Sequence, residues 1–494
     1  MKITLFNPSR TLSSDGSRLI SALLKRAGHS VKSVFLSRSA SLMYSPDELR
    51  QLNDILCDTE LAMMAVYSSY VHRAIQVTNF IHTEYPGMQV IWGGPHCISV
   101  PELSIRHADG ICFSEGDQAI IEFVNKMEAN IDYFNTPNMA FKKNGSYLKN
   151  ESLPPFADLD SLPFYDYELD DHFLLDNGLF PMTKEILQKR YAYYPYNIPT
   201  FFYQTSRGCP NKCTYCNNSR YIKIFGHNPL RFIGVDRVIH ELEHTLNHLD
   251  FFELLFFGDD DFFMRPQNQL EEFAEKYKKK IDLPFIIAIS ANTYQKEKME
   301  ILLDAGLKCI QMGVQSGSQR VLDDVFKRKV SVKKTKEAVS KIEPYQKTHD
   351  LDLLLDFIID NPYESRDDVI QTYNYLVDLH LKTIANIFYL AFFPGTPLYE
   401  KALEDGFIEP YREKTDTFKF STREGIRVRY QKNYELFLIL LLRRLRLQSI
   451  GHQSPWGKYI PKFVFRAIAS KPVRAFASIF PESFYVYLCQ KINK

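Results

Sequence analysis

Cys209, Cys213 and Cys216 fall within eight residues, spaced Cys-x-x-x-Cys-x-x-Cys, directly after the apolar run Phe201-Phe202-Tyr203 and a Gly208-Cys209-Pro210 turn. Thiolates are the ligands of iron–sulfur clusters, and a four-iron cluster wants four of them. Three thiolates leave one iron open to something exogenous. Structural zinc also needs four ligands, and the nearest further candidates, His227 and Cys309, lack the paired spacing of zinc modules. A disulfide framework fits poorly, because eight cysteines in 494 residues are sparse and three crowd one loop. Cluster, zinc loop and inert loop are the readings left, and the spacing favours the cluster. Cys57, Cys97, Cys112, Cys309 and Cys489 show no ligand spacing and read as buried thiols.

With Tyr215 immediately before its last cysteine, the triplet resembles the signature of the radical S-adenosylmethionine superfamily. The resemblance implies that the three cysteines hold a 4Fe–4S cluster whose fourth iron is chelated by the amino and carboxylate groups of S-adenosylmethionine. It further implies that electron transfer cleaves the sulfonium and releases a 5′-deoxyadenosyl radical, which takes hydrogen from substrate. Such chemistry belongs to the cofactor, and the protein has to position it and keep water away. An electron donor such as a flavodoxin or ferredoxin is implied as a partner.

Positioning the triplet requires a scaffold. From residue 201, strand-like segments (Phe201–Thr205, Phe252–Phe257, Pro284–Ser290, Cys309–Val314, Leu351–Ile359, Thr383–Phe393) alternate with helix-like ones. Six strands separated by helices predict a partial (β/α)6 TIM-type barrel, as in the family, with functional groups at strand carboxyl ends. There the resemblance assigns S-adenosylmethionine contacts. Asp259 and Asp260, in Gly258-Asp259-Asp260-Asp261-Phe262, stand where the family binds the methionyl ammonium; a helix-capping turn is the structural alternative. Ser290, before Ala291-Asn292, stands near the ribose. Gln315 occupies a position where many relatives carry glutamate, so the hydrogen bond survives and the charge does not. Pro394-Gly395-Thr396-Pro397 resembles the turn near the adenine. No residue is singled out as a catalytic acid, base or nucleophile.

Residues 1–135 alternate short apolar strands with amphipathic helices and Gly-containing turns, which predicts a Rossmann-like, doubly wound parallel sheet. Ligands bind such sheets at strand carboxyl ends, where Ser68, Gly93, Gly94, Glu115 and Gly116 fall. Trp92-Gly93-Gly94-Pro95-His96, Pro101-Glu102 and Ser114-Glu115-Gly116-Asp117 resemble the cobalamin-binding domain that precedes the radical domain in one large subgroup. Small residues there let a corrin ring approach the backbone. The Asp-x-His-x-x-Gly motif that supplies an axial histidine in cobalamin mutases is absent. His96 has two readings, a neighbour of the corrin or a cap on a backbone group.

Residues 136–200, interrupted by prolines, read as a linker, and its aromatic run Tyr191–Tyr196 as packing between domains. Residues 401–494 read as a helical extension. From Leu440 onward it carries net +9, which leaves −8 on the rest of a chain of net +1. Within it, the apolar run Leu436–Leu442 lies in a helix predicted over Tyr434–Ile450. This helix either packs over the barrel's open side or, with Trp456, Phe463, Phe465, Phe476 and Phe480, meets a membrane surface or a lipid-like substrate. Near-neutral net charge and the lack of a recognised module argue against nucleic acid. No Walker-type loop, signal-peptide pattern or stretch of about 20 apolar residues is found, so a cytoplasmic enzyme acting on a small or lipid-like molecule is expected. With cobalamin bound, methylation of an unactivated carbon is the leading expectation. Radical rearrangement, cyclisation or oxidation without methyl transfer is the alternative, and a non-catalytic cluster or cobalamin carrier is a third.

Overall fold

The amino-terminal rhythm resolves into nine strands of one sheet: β1 (Lys2–Asn7), β2 (Ser30–Phe35), β3 (Leu61–Ala65), β4 (Gln89–Gly93), β5 (Gly110–Cys112), β6 (Met139–Lys143), β7 (Ser146–Lys149), β8 (His172–Leu175) and β9 (Leu179–Pro181). The computed structural model describes the chain except residues 14, 40–41, 144, 194–195, 381, 411–432, 446–460, 478–479, 481–483, 486–487 and 489–494. Strand order is β7-β6-β5-β4-β3-β1-β2-β8-β9. The six strands from β5 to β8 run parallel, and β6, β7 and β9 add antiparallel edges. Ile3, Leu5 and Phe6 of β1 are all buried, as a strand covered by helices on both faces requires. With β1 between β2 and β3, the winding reverses there, and a doubly wound sheet opens its ligand crevice at that switch point.

The linker expected over 136–200 is more structured than its prolines suggest, since it supplies β6 to β9 at both edges of the sheet. These strands are only three to five residues long. Pro181 is tolerated because β9 is the outermost strand, where a missing N–H costs no ladder bond. Between the two edges, residues 150–171 cross the molecule, and Leu159 and Leu162 pack on Leu19 and Leu23 of the helix Asp15–Arg26.

The second sheet holds β10 (Ala192–Tyr193), β11 (Ile198–Tyr203), β14 (Leu254–Phe257), β15 (Phe285–Ile289), β16 (Leu307–Gln315), β17 (Asp352–Ile359) and β18 (Ile384–Tyr389), hydrogen-bonded in that order. β11 and β14 to β18 are the six expected parallel strands of a half-barrel. A separate two-stranded ribbon, β12 (Ser206–Arg207) with β13 (Arg231–Phe232), sets Arg207 opposite Arg231. After β16 the chain makes a wide π-type turn, Val321–Val325.

The apolar run near the carboxyl terminus is a packing face. Helix Asn433–Leu445 places Leu438, Ile439 and Leu442 in the barrel core and lies against helix Arg366–Asp378. Tyr434 and Tyr373 donate to the carbonyls of Ile468 and Phe465, at 2.8 and 2.9 Å, holding the following helix in place. Residues 446–450 of the predicted helix, Trp456 and Cys489 lie outside the described residues. Among the described residues no helix is long and apolar enough to cross a membrane.

Candidate functional site

The cysteine loop leaves the carboxyl end of β11 and is pinned from two sides. Thr214 donates its N–H to Phe326 O at 3.0 Å and its hydroxyl to Val325 O at 2.6 Å, while its carbonyl accepts from Leu398 N at 3.0 Å. The Tyr215 ring stands edge-on to Phe326, centroids 4.8 Å apart. Gly208 has φ +92° and lies so close to Pro229 that a Cβ would sit 2.1 Å from its carbonyl oxygen; only glycine turns the chain into Cys209. Cys209 and Cys213 are buried and Cys216 is half-buried. Burial pushes the Cys216 thiol up to about 12, so the bare loop holds a proton that a metal must displace. Among the described residues no three His, Cys, Asp or Glu converge on one metal ion.

Beside the loop, a cavity of about 270 Å³ opens at the strand ends, and Tyr215, Asp259, Asp260, Ser290 and Gln315 all line it. Their surroundings differ. Asp259 is buried and accepts from Thr205 N at 3.2 Å, Thr205 Oγ1 at 3.0 Å and the Ser206 hydroxyl. Asp261 caps the turn Phe262–Met264 and accepts from Thr293 Oγ1 at 2.8 Å. Asp260 instead projects into the open space, where the enclosing walls push its carboxyl up to about 6, with the Asn218 side chain opposing that shift. Gln315 adopts φ +69° at a bulge between β16 and β17. This geometry brings its amide close over Gly313, where a Cβ would meet Nε2 at 2.4 Å.

Pro394 and Gly395 line neither this cavity nor the one described below. Gly395, at φ +83°, packs on the amino-terminal domain, where a Cβ would meet Ser99 O at 2.8 Å; Thr396 caps helix Pro397–Glu404. Among the lining residues that escaped the sequence reading are Asn218, Gln311, Asp356 and Arg328. Gln311 donates to Asp356 at 2.7 Å, and Asn386 donates to the same carboxylate at 2.9 Å. Gln311, Gly313 and Gln315 alternate with buried Ile310, Met312 and Val314, a period-two signal that could have found Gln311. Arg328 carries no such signal. It reaches Gly313 O at 2.9 Å, the Tyr215 hydroxyl at 3.2 Å and Cys213 Sγ at 4.0 Å from beyond the wide turn.

A second cavity, about 410 Å³, lies between the two sheets at the switch point. Leu5 of β1, Met63 of β3 and Ile91 of β4 form an apolar floor, and Gly93, Gly94, Glu115 and Gly116 line its edge. Gly94 has φ +92°, and a Cβ there would meet Val66 N and O at 3.1 Å. Ser68 is not among the lining residues; its hydroxyl bonds Nδ1 of buried His96 at 3.0 Å. Glu115 is engaged in a bidentate pair with Arg231, at 2.7 and 3.0 Å. Asp117 pairs likewise with Arg207, at 2.9 and 3.0 Å. The β12–β13 ribbon thus clamps the cysteine loop's lead-in strand to the amino-terminal sheet. Asp15, missed by the sequence reading, adds a carboxylate whose Oδ1 is buried without a hydrogen bond. Asn218 and Asp260 line both cavities.

Residues 203–376, which span the cysteine loop and strands β14 to β17, match the radical SAM superfamily. The chain carries a radical SAM domain. It is 24% identical over 355 residues to an uncharacterized methyltransferase of Pyrococcus horikoshii, covering 71% of each protein. It is 23% identical over 399 residues to the anaerobic magnesium-protoporphyrin IX monomethyl ester cyclase of Cereibacter sphaeroides, covering 76% of this chain and 56% of the cyclase. Its fold resembles that of the radical S-adenosylmethionine methyltransferase TsrM from Kitasatospora setae, solved with cobalamin and a [4Fe-4S] cluster bound. The TM-score is 0.69 at 12% identity, over 100% of this chain and 99% of the other.

Within the radical SAM domain the three aspartates therefore divide their work. Asp259 and Asp261 are committed to backbone and hydroxyl donors that fix the strand ends. Asp260 is the carboxylate left facing open space, and an ammonium group placed there would relieve its desolvation.

Proposed function

We propose that this protein is a cobalamin-dependent radical SAM methyltransferase that acts on an unactivated carbon of a small or lipid-like molecule. The observation carrying this reading is the pair of cavities that share Asn218 and Asp260, one bordered by three cysteines and the other at a Rossmann switch point. When bound, the cluster supplies the electron that cleaves S-adenosylmethionine, and cobalamin supplies the methyl group. Cys209, Cys213 and Cys216 would hold the cluster. Asp260 would take the methionyl ammonium, Ser290 the ribose and Gln315 an adjacent polar group, while Tyr215 fixes the loop. The between-domain cavity suits part of a corrinoid: it falls within the roughly 300–1,000 Å³ of small-molecule sites, with an apolar floor and a glycine-lined rim. Gly93, Gly94 and Gly116 let such a group approach the strand ends.

Anaerobic reconstitution with iron and sulfide, followed by reductant and S-adenosylmethionine, tests the reading. Formation of 5′-deoxyadenosine together with S-adenosylhomocysteine supports methyl transfer. A fully loaded cluster that yields neither refutes radical chemistry. Similarity to the cyclase favours a second reading, oxidation or cyclisation, which the same assay separates by giving 5′-deoxyadenosine alone. We place the protein in a reducing cytoplasm, as an oxygen-labile cluster requires, with a flavodoxin- or ferredoxin-type donor. Exposed Phe463 and Phe476 in the basic tail support contact with an amphiphilic surface.

A further inference from the structure

The enclosed arginines of this chain are satisfied in several ways, and Arg18 and Arg265 donate to neutral oxygens alone, Arg18 with its Nε unpartnered. Arg207 and Arg231 close bidentate pairs with Asp117 and Glu115. Arg73 donates to four carbonyls, those of Pro8, Leu36, Ser39 and Leu42. Arg220 and Arg328 stand beside the cysteine loop, one with two unpartnered nitrogens and the other reaching a cysteine sulfur. Arg220 is 4% exposed and gives one hydrogen bond, to Pro95 O at 3.2 Å, while its Nε and Nη2 are buried without a partner. Arg328 donates to two neutral oxygens and approaches Cys213 Sγ at 4.0 Å, with its Nε buried and unpartnered. Neither forms an ion pair with a carboxylate among the described residues.

Guanidinium nitrogens left without an acceptor away from water are costly, and neutral oxygens, an aromatic face or an anion can compensate them. Arg328 and Arg220 both adjoin the cysteine loop. Arg328 reaches Cys213 Sγ at 4.0 Å, and Arg220 stands on helix Asn218–Phe225 directly after Cys216, its N–H bonding Asn217 O at 3.0 Å. Three thiolates carrying a cluster are a concentrated negative charge, and cluster potentials follow net charge, hydrogen bonds to sulfur and exposure.

Resting on the reading of the triplet as a cluster site, we propose that Arg328 and Arg220 are positioning residues that act as the counter-charges of the cluster and hold its reduction potential up. Arg328 contributes both charge and a donor to sulfur; Arg220 contributes charge alone.

The test is an EPR-monitored redox titration of reconstituted full-length protein without S-adenosylmethionine, comparing wild type with Arg328→Gln, Arg328→Lys, Arg220→Gln and Arg220→Lys. Each Gln variant is expected to lower the reduced-to-oxidised ratio at fixed potential about tenfold, equivalent to about 59 mV for one electron, with Lys restoring most of it. Cluster loading lost in a Gln variant and regained in its Lys counterpart supports the proposal equally. Potentials unchanged in both Gln variants overturn it, as does loading lost in Lys and Gln variants alike, which would mean that shape rather than charge matters. Should Arg328→Gln only weaken S-adenosylmethionine binding and leave the potential unmoved, its partner is that ligand and the proposal fails for Arg328. A wild-type protein that loads no cluster refutes the cluster reading itself, a distinct failure visible in iron content.

Discussion

The cavity inside the barrel and the cavity between the sheets share two wall residues, Asn218 and Asp260, yet they are built by opposite means. The first is assembled from strand ends of one domain, each held by its own turn or cap: Asp261 over Phe263, Ser290 over Asn292 and Gln315 in a bulge. The second is assembled from two domains, and the Arg207–Asp117 and Arg231–Glu115 pairs tie them together at its rim. A cavity of the first kind tolerates loosening of its surroundings. One of the second kind depends on groups from both domains, which gives the two sites separable sensitivities.

The largest expected effect falls on the barrel cavity alone. Cys213→Ala should abolish cluster loading and the visible absorbance of the reconstituted protein, while leaving the amino-terminal sheet folded by circular dichroism; a variant retaining the cluster contradicts the ligand assignment. Next comes the clamp. Arg231→Met strands Glu115, whose side chain is 12% exposed, and should cost about 3–5 kcal/mol in chemical denaturation. Corrinoid retention on gel filtration should fall, whereas iron content per folded chain should hold. Equal loss of both cofactors would erase the distinction between the cavities.

Gly94→Ala should cost less, about 1–3 kcal/mol, because φ +92° and contact with Val66 exclude a Cβ while leaving the barrel untouched. The smallest effect concerns Asp15, whose carboxyl burial pushes up to about 7. Since that value lies above the ordinary 3.8, the folded protein keeps a proton that the unfolded chain releases, and stability falls as pH rises between them. Asp15→Asn should flatten that dependence, raising the melting temperature at pH 8 more than at pH 4. A parallel shift at both values would show that the carboxyl is not desolvated.

Legibility tracked the length scale of each constraint. The thiol triplet, the six barrel strands and the first five strands of the amino-terminal sheet are local patterns, and their periodicity or spacing is complete within a short window. Gln311 was legible in principle, from alternation along β16. Arg328 was not, because its partners Gly313 and Cys213 come from different segments of the chain. The strands β6 to β9 were hidden for another reason: three to five residues between prolines carry too little pattern to distinguish an edge strand from a connector.

Glu115 shows the same divide within one residue. Its place at a strand's carboxyl end could be read from the chain, but its bidentate engagement by Arg231, 116 positions away, could not. By itself, then, the sequence determined the thiol triplet and the two α/β scaffolds, because thiol spacing and hydrophobic period are short-range properties. Only the tertiary structure decided that the two ligand cavities meet at Asn218 and Asp260, and which charges surround the cysteines. Those outcomes depend on which distant side chains the packed sheets bring within a few ångströms of one another, a contact that no local spacing encodes.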